Sequence, residues 1–131
     1  MNGPHKLAEN WAHLGLGATS EVQPAFSGMD WYKAYGQRNA SDGAEGRLVS
    51  LHRFTESWDV WEMHPVGSEM VICISGSIVL IQETNDGQQT IALAAGEYAI
   101  NPAGIWHTAD IVGPAEAIFI TAGQGTEHRS R

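Results

Sequence analysis

Residues 61–69 read Trp61-Glu62-Met63-His64-Pro65-Val66-Gly67-Ser68-Glu69. In an extended strand Glu62 and His64 project from one face, because side chains alternate with period two. Pro65 brings no N–H to a sheet ladder and Gly67 tolerates a tight reversal, so the strand ends there. Read as a four-residue hairpin loop, residues 65–68 set Glu69 on the returning strand opposite His64. Cross-strand Cβ atoms lie about 4.5–5.5 Å apart, close enough for both side chains to reach one ion.

Working outward, the chain from Arg47 onward reads as short strands. These are Arg47–Phe54, Ser57–His64, Met70–Ser75, Ser77–Glu83, Thr90–Ala94, Glu97–Ile100, Trp106–Val112 and Glu116–Thr121. Between them stand turn formers such as Ser75-Gly76, Asn85-Asp86-Gly87, Ala95-Gly96 and Gly113-Pro114. Glycine supplies positive φ, proline fixes φ and Asx side chains cap their own backbone. Many short strands without a long helical pattern predict an all-β antiparallel sandwich or barrel. Residues 1–45 read differently: Met29–Arg38 is a helical turn, Asn39–Gly46 a polar loop, and Trp11, Phe26, Trp31, Tyr32 and Tyr35 need cover from water. The expected organisation is an N-terminal arm (1–45), a barrel (46–122) and a flexible tail (123–131).

With 131 residues there is room for one core. Five tryptophans argue against a disordered chain. Seven scattered Lys and Arg against a net charge of −8 argue against nucleic acid and an anionic membrane surface as partners. No apolar stretch approaches a membrane span, and the first ten residues lack a secretory apolar region. Cys73 is the one cysteine, so no internal disulfide can form. A cytoplasmic location is the default expectation, although a periplasmic protein with a trimmed signal would look the same.

A second element lies downstream. Gly96, five residues, Pro102-Ala103-Gly104, two residues and His107 describe a strand, a turn and a histidine opening the next strand. In an antiparallel barrel His107 can face the first hairpin across the interior. Two imidazoles and one carboxylate match the composition of the facial triad that holds Fe(II) with open positions, and Glu62 is a possible fourth ligand. The plainer reading of each histidine alone is a satisfied core residue; jointly, with matching turns, the three favour a metal.

Together these two elements resemble the signature motifs of the cupin superfamily. The first runs Glu62-x-His64, four residues, Glu69, six residues, Gly76; the second runs from Gly96 to His107. The resemblance implies a double-stranded β-helix (jelly-roll) barrel with a metal in its mouth, and frequent dimerisation. Glu62 stands where the family has its first histidine, Glu56 where it has a leading glycine, and Ile111 where an asparagine often closes the second motif. The resulting 2-His-2-Glu set moves preference toward Mn(II), Fe(II) or Zn(II), with Ni(II) admissible, and away from copper.

Glu62 is also a candidate catalytic residue, as a general base of raised pKa beside the metal. Alternatively it is the remnant of a lost site, paired with a cation such as Arg53. Candidates for substrate contact are Arg53, Cys73, Tyr98 and Phe119. An inward Arg53 would hold a substrate carboxylate; its plainer reading is a solvated edge charge. Cys73 shares a face with Glu69, but a small core filler is the commoner role. Only one of His52 and Arg53 can point inward, and His5, His13 and His128 are expected to be exposed. The expected function is metal-assisted chemistry of isomerase, lyase or oxygenase type on a small organic molecule, or else non-enzymatic sensing or storage of a ligand or metal. A homodimer is expected, with the aromatic arm lying across a partner's sheet.

Overall fold

Alternation of apolar with polar or small residues drives most of this chain into strands. The structure, a computed structural model, describes residues 2–131. In order the elements are β1 (Ala12–Gly15), β2 (Thr19–Val22), α1 (Met29–Arg38), β3 (Arg47–Phe54), β4 (Val60–Met63), β5 (Glu69–Ser75), β6 (Ser77–Thr84), β7 (Gly87–Ala94), β8 (Tyr98–Asn101), β9 (His107–Asp110), β10 (Ala115–Thr121) and β11 (Glu127–Ser130). Two antiparallel sheets result, ordered β2-β1-β3-β10-β5-β8 and β11-β4-β9-β6-β7. From β4 to β11 every connection except the β6–β7 hairpin carries the chain from one sheet to the other. That is the jelly-roll arrangement expected from the sequence.

Val71, Cys73, Ala117 and Phe119 of the first sheet face Ile78, Leu80, Leu93 and Ala109 of the second, closing the core. Each fully buried Leu or Ile there contributes about 1.5–3 kcal/mol. Gly76 makes the tight link between β5 and β6 at φ +70°, and a Cβ on it would lie 2.3 Å from the Pro114 carbonyl oxygen.

Three expectations are corrected. First, residues 65–68 do not close a hairpin: β4 and β5 belong to different sheets, so His64 and Glu69 meet across the open end of the sandwich. Local turn chemistry signals a reversal but not the sheet into which the chain returns. Second, the arm folds onto its own chain. β1 pairs with β3, Ala12 opposite Val49, and Trp11 and Trp31 bury against Leu48. The indole N–H of Trp31 donates to the Pro24 carbonyl at 2.8 Å. Trp11 and Trp31 thus find their cover within the chain, whereas Phe26 and Tyr32 stay 44% and 39% exposed.

Third, residues 123–131 are not a loose tail. β11 pairs with β4, Arg129 opposite Trp61. The Arg129 guanidinium lies 4.6 Å from the Trp106 ring centroid and 5.3 Å from that of Trp61. Arg131 donates to the Trp58 carbonyl at 3.1 Å and pairs with Asp110. β11 contains no apolar residue, so hydropathy is blind to it; cation–π contacts and backbone pairing hold it.

Replacing Gly76 by Ala should lower the stability of the whole barrel by more than ~2 kcal/mol, since both the backbone and the Pro114 oxygen oppose the new methyl. Urea unfolding monitored by tryptophan fluorescence would show the midpoint falling with an unchanged slope.

Candidate metal centre

Glu62 on β4 lies directly opposite His107 on β9. His64, two residues beyond Glu62, projects from the same face, as strand alternation requires. Glu69, the first residue of β5, arrives from the other sheet with Asn101 of β8 as its neighbour. The two turn elements are tied together: the Gly104 N–H donates to the His64 carbonyl at 2.9 Å. A Cβ on Gly67 would lie 2.6 Å from the Cβ of Ala122, so only glycine lets the crossing pass so close.

The four side chains converge. His64 Nε2 is 3.1 Å from Glu69 Oε2 and 3.3 Å from Glu62 Oε1. His107 Nε2 is 3.2 Å from Glu69 Oε1 and 3.8 Å from Glu62 Oε1. One ligand atom from each residue falls within 4.8 Å of the other three. His64, Glu69 and His107 are 4%, 2% and 0% exposed.

Surrounding hydrogen bonds fix the direction in which each group presents its lone pair. The Thr126 hydroxyl donates to the Gly123 carbonyl, so toward His64 Nδ1, 2.8 Å away, it must accept. The Ile105 carbonyl likewise accepts from His107 Nδ1 at 3.3 Å. In the neutral rings both Nε2 atoms therefore carry bare lone pairs, and both are buried without a hydrogen-bond partner. Asn101 Nδ2 donates to Glu69 Oε1 at 3.1 Å and is itself held by Gln82 at 2.9 Å. Thr121 donates to Glu69 Oε2 at 2.7 Å, and His128 contacts Glu62 Oε2 at 3.0 Å. At the centre lie four acceptors and no donor. Two carboxylates and two imidazoles balance a divalent cation in charge and suit one of borderline hardness, so the residues fit a metal.

Without a cation the cluster draws protons. Burial disfavours the charged imidazoles of His64 and His107, but Glu62 and Glu69 outweigh it and push both to about 9. Burial likewise opposes ionisation of Glu69, yet the two imidazoles hold it down at about 2. Glu62 is lowered as well, for the same competing reasons. That corrects the expectation of a raised value: the imidazoles dominate over its desolvation.

Other candidates separate. Phe119 lines a cavity of about 950 Å³ that reaches Glu62, His64 and Glu69, together with Tyr32, His52, Phe54 and Trp58. Arg53 is exposed at the cavity rim and does not pair with Glu62; His52 takes the inward position instead. Cys73 shares the inward face of β5 but lies deeper, in the sealed core, with its thiol donating to the Ser75 carbonyl at 3.5 Å. Tyr98 stands outward, 60% exposed, because β8 turns its even-numbered residues to solvent. His13 is buried rather than exposed. Thr126, Thr121, Asn101, Gln82 and His128, which orient the four, carry no local spacing signal.

A sequence model of the cupin domain matches residues 55–123. The chain belongs to the cupin family. No curated protein matches it. Among solved structures this cupin is similar to a variant of Bacillus subtilis oxalate decarboxylase, with 18% identity over 64% of this chain and 23% of that one, at a TM-score of 0.53. It is also similar to hydroxypropylphosphonic acid epoxidase from S. wedmorenis, with 14% identity over 57% and 42% of the two chains and a TM-score of 0.50. A cupin superfamily protein from Desulfitobacterium hafniense DCB-2 shares 25% identity over 57% and 65%, at 0.48. The cupin chain thus spans less than half the length of the first two, and its likeness to them is one of fold.

Two outcomes follow for the cupin. The imidazole contribution to metal-free stability is present below the unfolded value of 6.5 and lost as pH rises through about 9. The carboxylate contribution is present above the unfolded 4.5 and lost as pH falls toward about 2. For this cluster the metal-free optimum therefore lies between pH 4.5 and 6.5, as thermal melts across a pH series would show. Replacing Thr126 by Val removes the acceptor that orients His64 and should weaken divalent metal binding about 10–100-fold, measured by chelator competition.

Proposed function

We propose that this cupin binds one divalent metal through Glu62, His64, Glu69 and His107 and acts on a small organic molecule held in the cavity above it. The observation that carries the reading is the pair of buried, unpartnered Nε2 atoms facing two carboxylates beneath an open cavity. When bound, the ion would supply a Lewis acid for a carbonyl, carboxylate or enolate oxygen. Fe, Mn and Zn suit this donor set, and Ni is admissible.

The chain's own residues divide the remaining work. Glu69, held by Asn101 and Thr121, is locked in place and serves as a fixed ligand. Glu62 is the more accessible carboxylate, with its side chain 24% exposed, and it lines the cavity. It is therefore the group able to exchange a proton with a bound molecule, while His128 steadies its outer oxygen. Phe54, Trp58 and Phe119 supply apolar walls that exclude water from the reacting end. The chemistry supported is of isomerase, lyase or oxygenase class. A second reading, a non-enzymatic sensor or store, draws on the second carboxylate, which lowers the Lewis acidity of a bound ion.

Elemental analysis of protein purified without added metal should find about one transition-metal ion per chain. His64→Ala and His107→Ala should each lower affinity by more than about 10²-fold, whereas Glu62→Gln should bind more weakly but still load at excess metal. Metal content unaffected by either histidine variant would overturn the assignment. Metal affinity should also climb with pH up to about 9, because the ion must displace the imidazole protons.

A further inference from the structure

The arm lies outside residues 55–123, yet it builds a second polar cluster on the same cavity. His13 on β1 is 2% exposed. Its Nδ1 lies 2.6 Å from the Tyr35 hydroxyl on α1, and its Nε2 lies 2.6 Å from Asp42 Oδ2 in the short helical segment Ala40–Glu45. A carboxylate only accepts, so Nε2 carries the proton that bonds Asp42. In the neutral ring Nδ1 is then bare, and the Tyr35 O–H donates to it. Hydroxyl, imidazole and carboxylate in series are the arrangement by which a weak hydroxyl is activated.

Space for the series is built in. A Cβ on Gly46 would lie 2.9 Å from His13 Cε1 and 3.0 Å from Asp42 Cβ; one on Gly15 would lie 2.8 Å from Asp42 Oδ2. Both glycines have ordinary extended backbone, Gly15 with φ −105° and Gly46 with φ −68°, so they supply room rather than unusual dihedrals. His13 and Tyr35 line the cavity that descends to Glu62, His64 and Glu69.

We propose that Tyr35, His13 and Asp42 form a second reactive centre, an acid–base site for a small hydroxyl-bearing or C–H-acidic organic molecule in the cavity. The molecule's X–H bond breaks and its proton passes to Tyr35 Oη. The proton already on Oη moves to His13 Nδ1, leaving an anionic ligand and an imidazolium paired with Asp42. Burial, reinforced by Asp42, pushes the Tyr35 phenol up to about 12, so no free phenolate stands at neutral pH and the proton leaves only as the oxygen is used. This assignment does not depend on the metal.

Activation can be read without knowing the ligand by treating the full chain with phenylmethanesulfonyl fluoride. Tyr35 Oη attacks sulfur, fluoride leaves with the S–F electron pair, and the phenol proton goes to His13. Peptide mass mapping compares Tyr35 with Tyr98, which is 60% exposed and lies on the outer face of β8, as the internal reference. Tyr35 should react at least about tenfold faster than Tyr98. Asp42→Asn, whose amide can donate to Nε2 and force the proton onto Nδ1, should slow Tyr35 by about tenfold or more and leave Tyr98 unchanged. Tyr35 reacting no faster than Tyr98, or at the same rate in Asp42→Asn, overturns the proposal. Should that variant fail to fold by circular dichroism, the ratio of the two tyrosines in the unaltered chain decides alone.

Discussion

Four hydrogen-bond acceptors packed together, three of them on buried residues, are the constraint to which the rest of this molecule is fitted. Lone pairs on two imidazoles and two carboxylates cannot satisfy one another, and burial removes the water that would otherwise solvate those of His64, Glu69 and His107. Such a cluster persists only when positive charge enters it, as protons or as a metal. The barrel makes the cluster unavoidable, because Glu62 and His107 are register neighbours on one sheet and Glu69 is planted at the head of a strand in the other. Apolar burial below the site, from Val71 and Ile78 to Leu80, stabilises the frame that holds these like-signed atoms together.

The ring of polar groups around that centre leaves each ligand little rotational freedom. Thr126 and Ile105 select the tautomer of the two imidazoles, and Gln82 acts on Glu69 through Asn101. Orientation of this kind usually matters as much to a metal as the identity of the ligands. The five tryptophans form no single aromatic core but divide among three tasks. Trp11 and Trp31 seat the arm, Trp61 and Trp106 receive Arg129, and Trp58 walls the cavity.

Much of this was legible in the chain. Alternation and turn chemistry identified most strands from Arg47 onward, and two spacings identified the four residues that converge, because both signals are local. What escaped was long-range. Nothing near Pro65 or Gly67 says that the chain changes sheets there, and the strands at 12–15 and 19–22 are too short and too polar for their pattern to register. β11 pairs with a strand more than sixty residues away in sequence, as with His128 and Glu62. Cys73 was placed on the face it takes, but alternation cannot tell a sealed interior from a cavity, and nothing local to Tyr98 shows that it faces solvent rather than a ligand. His13 was misjudged because its two partners come from elements 22 and 29 residues away.

β11 has one more consequence. The segment that ends in it supplies Thr126 to His64 and His128 to Glu62, while its hold on the barrel comes from pairing with β4 and from Arg129 over two indoles. Its docking and the occupation of the cluster are therefore linked equilibria: whatever seats one favours the other, by about 1.4 kcal/mol for each tenfold by which docking raises the affinity of the cluster for its ion. Susceptibility of the 123–126 connection to a protease thus becomes a gauge of how full the centre is, readable on a gel with no chromophore and no substrate.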